Sequence, residues 1–170
     1  MRCRGSSTEG VALLEAALVL PFLVVMMLNV ANFGIYIYGW VTVDNAARAL
    51  LEYRVYTGVV LGYPPSASVT QMGNLVTTEV SSLPAARFTN VTWEICSNAN
   101  GVYPACQGTG AAFTPDPDPQ AAQYALYSAK VSCTFHSLFP PVTLPLGYSA
   151  YSAFPNAGSV SRQVSMRSMQ

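Results

Sequence analysis

The residue with the clearest chemical demand is Glu15, an acid at the start of an otherwise apolar run, VALLEAALVLPFL. A carboxylate near the head of a membrane-crossing helix costs about 1–3 kcal/mol unless it reaches the interface or meets a cationic partner. A partner is therefore expected. His136 is the single histidine. Its strand phase places it with Lys130, Ser132 and Thr134, with no second imidazole or clustered carboxylates nearby, so neither acid–base catalysis nor a metal site is expected there. The chain lacks a G-x-S-x-G elbow, a P-loop, a Rossmann glycine set and an H-E-x-x-H motif. No catalytic residue, metal or cofactor is assigned. Pro115-Asp116-Pro117-Asp118-Pro119 reads as a stiff solvated loop, because its alternating prolines hold two acids apart and a calcium loop needs more ligands at defined steps.

Of the four cysteines, Cys3 precedes the apolar run and Cys96, Cys106 and Cys133 follow it. If the run spans a bilayer, Cys3 cannot pair with the others. The remaining spacings do not suit a zinc site, and they favour an oxidising compartment. By strand phase Cys96 and Cys133 face opposite ways. That makes Cys96–Cys106 the preferred disulfide, worth about 2–3 kcal/mol, with Cys133 a buried thiol. Pairing of Cys133 with Cys96 or Cys106 remains an alternative.

The elements that must hold these residues are legible in outline. Ala16 to Val43 carries no charge, a run longer than the roughly 20 residues a spanning helix requires. Tyr36, Tyr38 and Trp40 gather at its downstream end, as interfacial aromatics do. Arg2 and Arg4 precede it, whereas the acids and arginines from Asp44 to Arg54 balance, so the positive-inside bias puts the N-terminus in the cytoplasm. Pro21 should kink the helix or loosen one turn. Gly34 and Gly39 do not make a G-x-x-x-G pair, and no interface is assigned to them. Helix formers continue to Gly58, with Ala47, Leu50, Leu51 and Val55 on one face. Val69, Met72, Leu75, Val76 and Leu83 mark a second, shorter helix that Pro84 ends. Beyond it the period becomes two: Val91, Trp93 and Ile95 alternate with Thr92, Glu94 and Cys96, and Tyr127 through Phe135 does the same. A third, weaker strand runs through SVSRQVSMRS, and the Gly/Pro-rich stretch from Asn98 to Pro119 reads as a surface loop.

The N-terminal pattern resembles a type IV prepilin signal: a short polar leader ending at Gly10, then Val11, then Glu15 as the fifth residue after the boundary. In that family a membrane-embedded prepilin peptidase cuts after the glycine, so the resemblance implies processing between Gly10 and Val11. It also implies that Glu15 faces the free amine of a neighbouring subunit and sets axial register. Glu15-Ala16-Ala17-Leu18-Val19-Leu20-Pro21 is similar to the E-x-A-L-x-L-P pattern of TadE-like pseudopilins of tight-adherence (Tad, or Flp) pilus systems. Asn32-Phe33-Gly34 falls where those proteins carry E-F-G, and Ala46-Ala47-Arg48 through Arg54 is similar to their A-A-R stretch. The departures are Ala16 for an aromatic residue, Asn32 for an acid, and Leu50-Leu51 within the A-A-R stretch. The likeness covers roughly residues 5–55.

The expected fold is α+β and type IV pilin-like: a long N-terminal transmembrane helix extending into a small head with a short helix and an antiparallel sheet of about three strands. The expected division is a leader at 1–10, a transmembrane helix at 11–43, its extramembrane extension at 44–58, and a periplasmic head at 59–170. The resemblance implies a non-enzymatic minor pilin or pseudopilin in the bacterial inner membrane, in or at the base of a surface pilus concerned with adhesion or secretion. Its implied partners are other pilin and pseudopilin subunits, the prepilin peptidase and the Tad inner-membrane platform. A balanced charge of 8 Lys+Arg against 8 Asp+Glu gives no field for nucleic acid. The rival readings are an unprocessed, signal-anchored binding module and a membrane-tethered enzyme.

Overall fold

A computed structural model describes residues 7–59, 68–99, 102–114, 125–138, 142–143, 149–150 and 157–168. The Pro115–Pro119 run and Cys3 lie outside the described residues. Helix α1 runs unbroken from Ser7 to Val59, through Pro21, and it is long and apolar enough to cross a membrane. Helix α2 spans Val69–Val80. Strands β1 (Phe88–Ala99), β2 (Val102–Gly108), β3 (Ala125–His136) and β6 (Ala157–Ser168) form one antiparallel sheet in the order β2-β1-β3-β6, and β4 (Val142–Thr143) pairs with β5 (Ser149–Ala150) as a small separate ribbon.

The sheet has four strands where about three were expected, because the Gly/Pro-rich stretch contains β2. Ala99 pairs with Val102, leaving Asn100-Gly101 between them, the dipeptide most favourable to a two-residue hairpin. Pro104 is tolerated because β2 is an edge strand. Strand β1 also carries a register shift between Thr89 and Thr92, with Asn90 at φ 52°, a conformation Asn adopts more readily than most residues. The bulge inverts the phase, so Phe88 and Trp93 both enter the core despite their odd spacing.

One side of the C-terminal half of α1 contributes to the core. Val43, Ala46, Ala47, Leu50 and Leu51 are fully buried, packed with Met72 and Val76 of α2 and with Trp93, Ile95, Ala129, Val131, Cys133, Phe135 and Val160 of the sheet. Tyr53 Oη donates to Gln71 Oε1 at 3.0 Å and ties the two helices together. Packing begins at Asn32, inside the stretch expected to lie in lipid. Two of the aromatics expected at the interface serve that packing: Tyr36 meets the Phe135 ring edge-on at 5.5 Å, and Trp40 lies under the Arg162 guanidinium at 4.1 Å.

At Gly39 the sheet packs tightly against the helix. The Phe88 ring occupies the place a side chain would take, and Phe88 in turn packs on Phe135 at 5.3 Å. Gly39→Ala should therefore destabilise the head by about 1–3 kcal/mol, despite alanine's higher helix propensity, as read from urea unfolding of the detergent-solubilised protein.

Candidate assembly site

Gly10 and Val11 lie near the start of α1 and are exposed, Val11 by 65%. Glu15 stands one helical turn beyond Val11 and is also exposed, so a new amine at Val11 and the Glu15 carboxylate would share one side of the helix. From Val11 to Met27 every side chain is exposed, including Leu18 at 74% and Phe22 at 65%. Nothing in the described part of the chain packs there.

The transition to the head is made by Asn32, 1% exposed, whose Oδ1 accepts the Leu138 backbone N–H at 2.7 Å. The chain leaving β3 is thereby fastened to α1 in an apolar setting where an unpaired amide would cost about 1–3 kcal/mol. Arg87 closes the same rim by donating from Nη1 to the Ser137 carbonyl at 2.9 Å, while the His136 backbone N–H donates to the Arg87 carbonyl at 2.7 Å. The His136 ring meets Thr89 Oγ1 at 3.0 Å across the strands.

One turn above Trp40, Asp44 accepts from Arg162 of β6 and from Arg48 of its own helix, both at 2.9 Å. Arg162 also stacks on Trp40, so strand, aromatic ring and carboxylate hold one another. Burial raises the Asp44 pKa, but hydrogen bonds from Arg162 and Arg48 and their positive charges outweigh it and hold the carboxyl below its ordinary range. A depressed folded-state pKa gives stability that is present above the unfolded value and lost as pH falls through the folded one. The thermal midpoint should fall as the pH is lowered below about 5, and Asp44→Asn should flatten that fall while lowering the midpoint at neutral pH, as calorimetry would read.

On the far side of the sheet Cys96 is bonded to Cys106, its directly opposed cross-strand neighbour. Strand phase separates Cys96 from Cys133 as expected, but the side that carries Cys96 is not open to solvent. Residues 109–114 fold back over it: the Thr109 and Gly110 amides donate to the Trp93 carbonyl at 2.9 and 3.1 Å. Cys96, Glu94 and Ser128 are all buried there, and Glu94 Oε2 has no hydrogen-bond partner among the described residues. Donor atoms of Glu94, Cys96 and Cys106 lie within 4.8 Å of one another, but with the sulfurs bonded to each other they do not form a thiolate ligand set.

Cys133 is a free, buried cysteine, and burial pushes its thiol up to about 11. The thiolate is the reactive form. Cys133 should therefore resist iodoacetamide at neutral pH in the folded protein and label fully after denaturation, as peptide mass mapping would show.

Sequence reasoning missed Asn32 as a latch, the Asp44–Arg162 pair and the burial of Glu94. Each depends on a contact between segments far apart in the chain. The unusual polarity of Asn32 within an apolar run was the one local signal.

The architecture defines a class: a small α+β head built upon the C-terminal half of a single apolar helix whose N-terminal half stands bare. Residues 10–50 match the model of a family described as TadE-like protein, so over this segment the chain is similar to that family. The match covers α1 up to Leu50 and leaves the sheet outside it. No curated protein and no solved structure matches the chain significantly.

Proposed function

We propose that the protein is a non-enzymatic pseudopilin of a Tad-type pilus, anchored in the inner membrane by α1 with its head in the periplasm. The observation that carries this reading is the TadE-like match falling on a helix that is bare from Val11 to Met27 and then becomes the core of a head. An anchor that only tethers its domain does not need to continue into the domain's core. A subunit that transmits its position in a membrane assembly to an external head does.

In this reading the prepilin peptidase removes residues 1–10, the amine released on Val11 seeks a carboxylate, and Glu15 of a neighbouring subunit supplies one where water is scarce. The ion pair offsets the cost of placing either charge alone in lipid and fixes the axial register between spanning helices. The head then meets other pilins or the platform from the periplasmic side. The Cys96–Cys106 bond suits that oxidising compartment.

Mass spectrometry of the protein taken from its own membrane should find Val11 as the first residue. A chain starting at Met1 would point to an unprocessed anchor carrying a binding head. Glu15→Ala should lower pilus assembly by on the order of tenfold or more while leaving membrane insertion intact, and assembly at the normal level would remove Glu15 from the mechanism.

A further inference from the structure

We infer that the outer face of α1 just above the bilayer, centred on Gly34, is a contact surface for a second copy of this chain. The head covers one side of the helix from Asn32 onward. The opposite side is apolar and remains partly exposed: Val30 by 67%, Phe33 by 51%, Ile37 by 42%, Tyr38 by 51% and Val41 by 45%. Only with Asn45, Arg48 and Glu52, which continue the same face and are exposed, does it become polar.

Lipid does not account for this strip. At 1.5 Å per residue, Val11 to Ala31 is about 30 Å long and already fills a hydrocarbon core. A bilayer reaching Val41 would also immerse the head's lower rim. That rim holds Ser137, adjacent to the Leu138 amide bonded to Asn32, together with Arg87, which is bonded to the Ser137 carbonyl. An arginine there would cost about 2.5–3.5 kcal/mol. The strip from Phe33 to Val41 therefore rises about 12 Å above the core, in a region where contiguous apolar surface marks a protein contact.

The two glycines identify the kind of contact. Gly39 is explained inside the chain by Phe88, whereas a Cβ at Gly34 would meet nothing within 4 Å. Glycine costs a helix about 1 kcal/mol relative to alanine, and among the described residues no packing compensates for it at Gly34. A bare glycine among large apolar residues admits a second helix backbone at close range. The partner must run parallel to α1, cross the same bilayer and stay apolar to the same height. A second α1 meets all three conditions. Leu23, Met27, Val30, Gly34, Ile37 and Val41 follow one another at alternating steps of four and three residues, the spacing of a parallel two-helix seam, and across a two-fold axis Gly34 would face Gly34. The first charge beyond the seam, Arg48, is already paired with Asp44 of its own helix, which weakens repulsion between two copies there.

The inference requires that α1 span the membrane but not that it be processed or enter a pilus. In native membranes, with Cys3→Ser as background, single cysteines at positions 34, 37 and 41 should give oxidative cross-links whose mass is twice that of the chain. Ala31→Cys, a quarter-turn away, should not. Adding Gly34→Leu should lower the Ile37→Cys cross-link by about tenfold or more while the protein still resists carbonate extraction and Cys133 remains protected from alkylation. Monomer alone in a carbonate-resistant protein, cross-links without this periodicity, or adducts with another polypeptide would each overturn self-association and leave the pseudopilin reading standing. Release by carbonate would overturn both.

Discussion

The structure depends on one helix meeting two different solvents. The N-terminal part of α1 is bare on all sides and its C-terminal part contributes five fully buried side chains to the head, so the same backbone must satisfy lipid and then a packed core without a break. Because its hydrogen bonds are made within the helix, it passes between those environments with no change of conformation. What changes is the side-chain pattern. Below Asn32 apolar residues point everywhere, and above it small and medium residues such as Ala46, Ala47 and Val43 turn to the sheet.

The transition is held by polar contacts more than by apolar area. Asn32 fastens the end of β3, and Asp44 with Trp40 fastens β6, so both strands nearest the helix are fixed by a contact with a specific direction. Apolar packing alone would allow the sheet to slide along a nearly uniform helix. The two latches are separated by about three turns, with Gly39 and Phe88 between them, and together they set the height and rotation of the head relative to the membrane.

Much of this was legible from local pattern. The apolar run, its continuation past Val43, the helix around Met72 and Val76, and the alternation in β1 and β3 all follow from periodicity. The TadE-like signature sits in that best-read segment. The fourth strand was hidden because a proline, a cysteine and a terminal glycine mask the period of two. The bulge at Asn90 was also hidden, since alternation cannot show where it skips. Alternation did separate the two faces of β1, but it could not show that residues 109–114 return to cover Glu94 and Cys96. Nor could it tell Gly34 from Gly39, which differ only in what approaches them.

The placement of β6 has a consequence for how the molecule is made. Its contacts with α1, including Arg162 on Trp40 and Asp44, join residues more than a hundred positions apart, whereas α1 is the first element to reach the membrane. Until the stretch from Ala157 to Ser168 has been made and docked, the apolar side of the helix and of β3 stays uncovered. Closure over so long a loop is slow compared with helix formation. The protein thus passes through an interval in which its helix is formed but its head is open, with the apolar surface that β6 later covers still exposed.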